Sequence, residues 1–262
     1  MKLSGITIYP IKSMGGITLK SSFAETKGLK FDRRMMLVNK DGKFITQRDF
    51  PSLTFLNCNM ESTDKISVFD SRNTSVNINI DIDLAEKKHK VDVWEDQVTA
   101  YSMSNDYDSF FSDFLGLDCY LVSMKNDAGR KTEGNGNMTE VSFADGYPYL
   151  LVGENSLALL NSKLENPVSM ARFRPNLVFE GGEAFEEDEW GFVKIGGVKF
   201  KVTKKCARCN VTTINPDTGV AAKEPLKTLA TFRTKNNQVN FGVNAISIDS
   251  GLIKIGDEVL PL

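Results

Sequence analysis

Short strand-like runs, broken at close intervals by turn residues, constrain this chain more than any other feature of it. Over roughly the first 100 residues, "GITIYPI", "GITLKSSFAE", "RMMLVNKDGKFITQR", "SLTFLNCNM", "KISVFD", "SVNINIDI" and "KVDVWEDQVTAYS" alternate or cluster β-formers, with Gly, Asp and Asn between them. Asp41-Gly42, set between two apolar runs, is a hairpin turn signal. A chain patterned this way buries one side of each strand and must pair the strands' edges.

Helical patterning is sparse. In "NDYDSFFSDFLG" Phe110, Phe111, Phe114 and Leu115 share one helical face and Gly116 suits the C-terminal end. "ENSLALLNSKL" reads as a second helix, and "EPLKTLATFR" as a third because Leu226, Leu229 and Phe232 recur at helical spacing. Between the halves, "KNDAGRKTEGNGNMTE" at 125–140 has almost no apolar residues and three glycines, which predicts a linker or mobile loop. "CYLVSM", "YPYLLVG", "RPNLVFEG", "WGFVKIGGVKFKV", "AISID" and "GLIKIGDEVLPL" return to strand. The expectation is a mainly-β fold of barrels with a few short helices, not a doubly wound parallel sheet.

With 262 residues, 41% of them hydrophobic, the chain can build a sizeable core. Thirty-two Lys and Arg against 34 Asp and Glu leave a formal charge of −2 with no long block of one sign. No broad nucleic-acid footprint is expected from that balance, so any anion site must be local. No apolar run is long enough for a membrane span, and "MKLSGITIYPIKSMGG" lacks a signal peptide's apolar centre. Four scattered cysteines do not make a disulfide scaffold, and the expected setting is reduced and cytoplasmic.

Two of those cysteines stand in "KKCARCNVTTINPDTG", 204–219. A structural zinc site needs four ligands, usually from two such pairs; Cys58 and Cys119 sit alone in strand-like runs, and the one histidine, His89, lies in "EKKHK". A thioredoxin-like dithiol needs a helix after the motif, whereas "NVTTINP" is rich in strand formers. Both thiols could be small buried apolar groups beside a β-turn. Arg208 points the other way, since a cation beside a thiol favours the thiolate, the form that ligates metal. One thiolate can supply a single bond to a metal that arrives already chelated by an organic cofactor.

Taken with "YPIKS" (9–13), "DRRMMLV" (32–38), "FADGYPYLL" (143–151), "RFRPNLV" (172–178) and the closing "IKIGDEV", this motif gives the chain a resemblance to MOSC-domain proteins, the molybdenum cofactor sulfurase C-terminal superfamily. Within it the resemblance is to the YcbX-like bacterial proteins and the mitochondrial amidoxime-reducing components. The resemblance implies a β-rich N-terminal MOSC domain at 1–123 and a MOSC β-barrel at 124–262, with a pyranopterin molybdenum cofactor between them. It implies Cys209 as molybdenum ligand and catalytic centre, with Cys206 structural or outside the coordination sphere. It also implies Lys12, Ser13 and Arg34 at the pterin and its phosphate, Arg174 and Asn176 from the other domain, and Arg208 and Asp145 in the pocket. Arginine and lysine on rigid elements are what a buried phosphate requires. Taken alone, Lys12 also fits a solvated lysine, Arg34 or Arg174 a barrel-end cap, and Asn176 or Asp145 a turn residue.

The activity implied is reduction of small N-hydroxylated compounds (hydroxylamines, hydroxylaminopurines, amidoximes). Met35 and Met36 stand where some relatives carry an aromatic, so the pocket wall is expected to differ. Neither the ferredoxin-like domain of some bacterial relatives nor the mitochondrial relatives' membrane anchor is expected here, and the sequence shows no G-x-G-x-x-G nucleotide fingerprint and no set of cysteines for an iron–sulfur cluster. Electrons are therefore expected from a separate ferredoxin- or flavodoxin-type donor with its reductase. The competing expectations are a persulfide on Cys209, although no pyridoxal-phosphate domain accompanies it, and a non-catalytic cofactor carrier.

Overall fold

The computed structural model describes residues 1–125, 129–134 and 137–262. Strands account for 45% of the chain and helices for 17%, which makes it mainly β. Ten elements position the site: β1 (Lys2–Ile8), β2 (Met35–Asn39), α1 (Asn105–Leu115), β3 (Cys119–Ser123), β4 (Tyr149–Gly153), α2 (Glu154–Asn161), β5 (Leu177–Glu180), β6 (Val198–Ala207), α3 (Leu226–Arg233) and β7 (Gln238–Ser247).

The largest sheet runs Ile17–Thr18, β1, β5, β4, β7, β6, Phe192–Ile195, Val259–Pro261. Its one parallel pair, β4 with β5, is joined across α2, as a parallel connection requires. An isolated Lys2–Glu258 bridge and the Leu3 N–H donating to Asp257 O at 2.8 Å bring the far end of this sheet back to β1. Among the described residues no sheet closes fully on itself. A second sheet orders β2, β3, Asp96–Ser102 and Lys88–Val93.

Two ladders cross the expected division at 123/124. β1 pairs antiparallel with β5, and Ser21–Glu25 pairs with Gly251–Lys254. The core is continuous across it as well, with Leu3, Ile6 and Leu37 in one cluster with Tyr149, Leu177, Phe200 and Val243. Each such side chain contributes about 1.5–3 kcal/mol by leaving water.

The predicted helices form as α1, α2 and α3. Ser104 caps α1 by accepting from the Asp106 N–H, Phe111 is fully buried, and Gly116 closes the helix at φ 65°, a conformation that costs glycine no side-chain clash. The expected linker at 125–140 is a β-hairpin where it is described, Arg130–Gly134 against Asn137–Val141; residues 126–128 and 135–136 of it lie outside the described residues. Arg130 explains why so polar a segment is fixed: its guanidinium is buried, bonded to Asp96 at 2.9 Å and to Ala144 O at 2.6 Å. Among the described residues no helix is long and apolar enough to cross a membrane.

Candidate functional site

One cavity of about 140 Å3 gathers Lys12, Ser13, Arg33, Arg48, Asp145, Arg174, Asn176, Cys206, Arg208 and Cys209 from segments spread over the whole chain. Backbone pairing aims them. The chain beyond β1 runs beside the start of β2, with the Lys12 N–H donating to Met35 O at 2.9 Å and the Arg33 N–H to Tyr9 O at 2.8 Å. From the other side, β6 shifts register against β7 between Lys205 and Ala207, a bulge that re-aims the strand end. The Arg208 N–H then bonds Val239 O at 2.7 Å, and Cys209 begins a short 3-10 turn, Asn210–Thr213.

Phe173 is the anchor beneath. It is fully buried and stacks on Phe241 with ring centroids 4.0 Å apart, and its carbonyl accepts from Arg208 at 2.7 Å. Arg174 follows it in the left-handed region at φ 53°, a costly conformation for a side-chain-bearing residue that surrounding contacts must hold.

The charges are lopsided: five cations, Lys12, Arg33, Arg48, Arg174 and Arg208, face one carboxylate, Asp145. Tyr9 brackets two of them, with Arg33 4.3 Å and Arg174 4.2 Å from its ring centroid. Each contact contributes about 0.5–2 kcal/mol, yet it holds two like charges close together, which an anion between them would relieve. Burial pushes the Arg174 guanidinium down to about 10, opposed by Tyr9 and reinforced by the Arg33 charge. Arg33 is fixed by fully buried Asp32 at 2.6 Å.

Lys12 is buried, donating to Phe143 O at 2.7 Å and to Asp145 at 2.5 Å. Burial holds its ammonium below the usual lysine range, against the pull of Asp145. Desolvation pushes the Asp145 carboxyl up, but the Lys12 charge and hydrogen bond more than offset it and hold the group well below the usual carboxylate range.

The two thiols differ. Cys206 is half-buried and accepts from Arg208 Nη1 at 3.0 Å, whereas Cys209 is exposed and its Sγ lies 3.6 Å from Arg48 Nη2. Arg48 in turn stacks over Trp94 at 4.7 Å. Arg208 therefore serves Cys206, and Arg48 is the cation beside Cys209. Cys58 and Cys119 are buried, and loss of hydration pushes their thiols up to about 12 and about 11.

Arg34 does not join this group. Its guanidinium bonds Glu25 at 2.8 Å and lines a separate cavity, because adjacent residues entering β2 point to opposite sides. Its neighbour Arg33 lines the Cys209 pocket instead. Asn176 does line the pocket, but its amide is committed to the scaffold: Oδ1 accepts from Arg33 at 3.2 Å and the Leu150 N–H at 3.3 Å, and Nδ2 donates to Thr7 O at 3.2 Å. Sequence reasoning missed Arg33 and Arg48. The neighbouring Asp32 was a usable signal for the first, while nothing in "TQRD" marks the second.

The residues fit a metal that arrives chelated by an anionic organic group: an exposed soft donor, a surplus of cations, and the buried Arg208 Nε, which has no partner among the described residues. Among the described residues no three His, Cys, Asp or Glu side chains converge as a ligand set.

Residues 1–118 match the MOSC N-terminal beta barrel domain and 138–260 the MOSC domain. Mitochondrial amidoxime reducing component 2 of Rattus norvegicus is 31% identical, over 98% of this chain and 82% of that protein. Molybdenum cofactor sulfurase of Oryza sativa subsp. japonica is 30% identical over 92% of this chain, which spans only 32% of the plant protein. The YUAD protein of Bacillus subtilis superposes over 98% of this chain and 93% of its own, with a TM-score of 0.46 at 10% identity. With both domain profiles matched in order and a relative of this identity covered over most of its length, the chain belongs to the MOSC-domain family.

Proposed function

We propose that this protein binds a pyranopterin molybdenum cofactor in the Cys209 pocket and reduces small N-hydroxylated compounds with electrons from a separate donor protein. The observation that carries this is the meeting of an exposed thiol with five cations and one carboxylate in a single cavity. The names of the amidoxime-reducing relatives give the reading its substrate class. When bound, the cofactor would supply the redox chemistry that removes oxygen from nitrogen.

The chain's own residues bind, orient and select. Cys209 is the single protein ligand to the metal, and Arg48 lies beside its sulfur at 3.6 Å. Lys12, Ser13, Arg33 and Arg174 hold the anionic organic part; Asp32 and Tyr9 keep Arg33 in place, and Tyr9 also braces Arg174. Asn176 works indirectly, tying Arg33 to β1 and β4. Two domains meeting near 123/124 would each supply part of this pocket.

The test is turnover of an aromatic hydroxylamine by protein made in a cofactor-producing host, with a reduced viologen as electron source. Activity in the parent, its loss in Cys209→Ser and a measurable fraction in Cys206→Ser support the reading; equal rates in parent and Cys209→Ser contradict it. NADH alone should give no turnover. A second reading, a persulfide carrier, is favoured by the exposure of Cys209 and the likeness to plant sulfurases. It predicts cyanide-labile sulfur on Cys209 in protein free of molybdenum.

A further inference from the structure

A second cavity, about 690 Å3, adjoins the Cys209 pocket, and the two share Gln47 and Arg174. Gln47 is 5% exposed, and among the described residues its side-chain amide has no hydrogen-bond partner. A glutamine amide offers two donors and an acceptor with two lone pairs, and this one, lining both cavities, has them free for a ligand rather than committed to the scaffold.

The backbone around it is tightly set. The Ile45 N–H bonds Leu37 O at 2.9 Å, Thr46 O accepts from the Asp49 and Phe50 N–H groups at 3.1 and 2.9 Å, and Thr46 Oγ1 donates to Asp49 at 2.9 Å. Gln47 is thus presented on a fixed turn where the two cavities meet, a junction that Arg174 also lines. The smaller cavity is below the ~300–1,000 Å3 usual for an organic ligand, while the larger lies within that range, so the junction gives a ligand fixed at Cys209 a path into the roomier space.

The geometry points to Gln47 as a further cofactor-binding residue, whose amide pairs with the donor–acceptor edge of a fused nitrogen heterocycle lying across the junction beside Arg174. An amide is the natural complement of such an edge, since both present a donor and an acceptor side by side. This rests on the cofactor reading above. It adds a residue that reads the ring system, whereas the cations read only its charge.

Gln47→Leu, which replaces the amide by an apolar group of similar bulk, separates the two states. The cofactor-free variant should melt close to the parent's midpoint, because the amide has no hydrogen bond within the described residues to lose. The loaded variant should release pterin about three- to tenfold faster than the parent, read by fluorescence of the released pterin, and should gain less in melting midpoint on loading. Gln47→Asn, whose amide is withdrawn by one methylene, should release faster too. Parent-like release and loading gain in Gln47→Leu would overturn the assignment with the cofactor reading intact; so would a fall in the cofactor-free midpoint with release unchanged, which marks a structural role. A parent that carries no pterin would overturn both.

Discussion

Asp32→Asn and Asp145→Asn break two ion pairs of nearly equal length, 2.6 and 2.5 Å, yet their costs should differ severalfold because burial decides the outcome. Asp32 is 0% exposed and its Arg33 partner 14%. Removing one partner of a buried pair costs about 3–5 kcal/mol, because the other charge is left in a poor solvent. Arg33 keeps Asn176 Oδ1 at 3.2 Å and Arg174 O at 3.4 Å, and an asparagine carbonyl can still accept from the Tyr9 N–H. Those neutral hydrogen bonds return about 1 kcal/mol, so the net loss is about 2–4 kcal/mol.

Asp145, by contrast, is 63% exposed, and water replaces much of what its charge supplies. Lys12 keeps Phe143 O at 2.7 Å, and the loss should be about 1 kcal/mol or less. Melting of cofactor-free protein, in which ligand binding cannot mask the difference, should fall roughly 5–15 °C for Asp32→Asn and no more than about 4 °C for Asp145→Asn. Equal shifts, or a negligible one for Asp32→Asn, would refute the view that buried Asp32 anchors Arg33. The Asp145 carboxyl is held low in the folded protein, so its contribution is full above the unfolded value of about 3.9 and fades as pH falls toward the folded one; Asp145→Asn should flatten that acid limb.

Arg33→Ala should purify largely without cofactor while Arg34→Ala retains it, and the reverse pattern would return the phosphate contact to Arg34. Alkylation of the native protein by iodoacetamide, followed by mass, should modify Cys209 and then Cys206 but spare Cys58 and Cys119, which are 3% and 1% exposed; rapid labelling of all four would contradict the packing. Buried Glu187, bonded to Ser156 at 2.9 Å, has its carboxyl pushed up by burial. The folded state therefore holds this proton more tightly, and stability is lost as pH rises from the unfolded value of about 4.3 through the folded one. Glu187→Gln should gain on the parent as pH rises above the unfolded value of about 4.3, and a difference that does not change with pH would count against it.

The mainly-β class and all three helices were legible because period-two and 3.6-residue patterns are local. The pairing of β1 with β5 was not, since nothing in "KLSGITI" names a partner some 170 residues away. "NVTTINP" reads as strand from its β-branched residues, yet Thr212 Oγ1 donates to Cys209 O at 2.9 Å and Thr213 Oγ1 to Asn210 O at 2.7 Å, and these local bonds favour the 3-10 turn that presents Cys209. The cysteine pair was plain in the sequence. Which arginine serves which thiol was not: Arg208 is adjacent in sequence to Cys209 but bonds Cys206, while Arg48 arrives from 161 residues away. Choosing between Arg33 and Arg34 needed the phase of β2, which a single residue's error inverts.

Molybdenum bound per chain, measured by elemental analysis on protein purified from a cofactor-producing host, tests the central claim most directly. The account predicts close to one metal per chain in the parent and little or none in Cys209→Ser. A folded parent free of molybdenum, or a Cys209→Ser variant carrying as much as the parent, would contradict it.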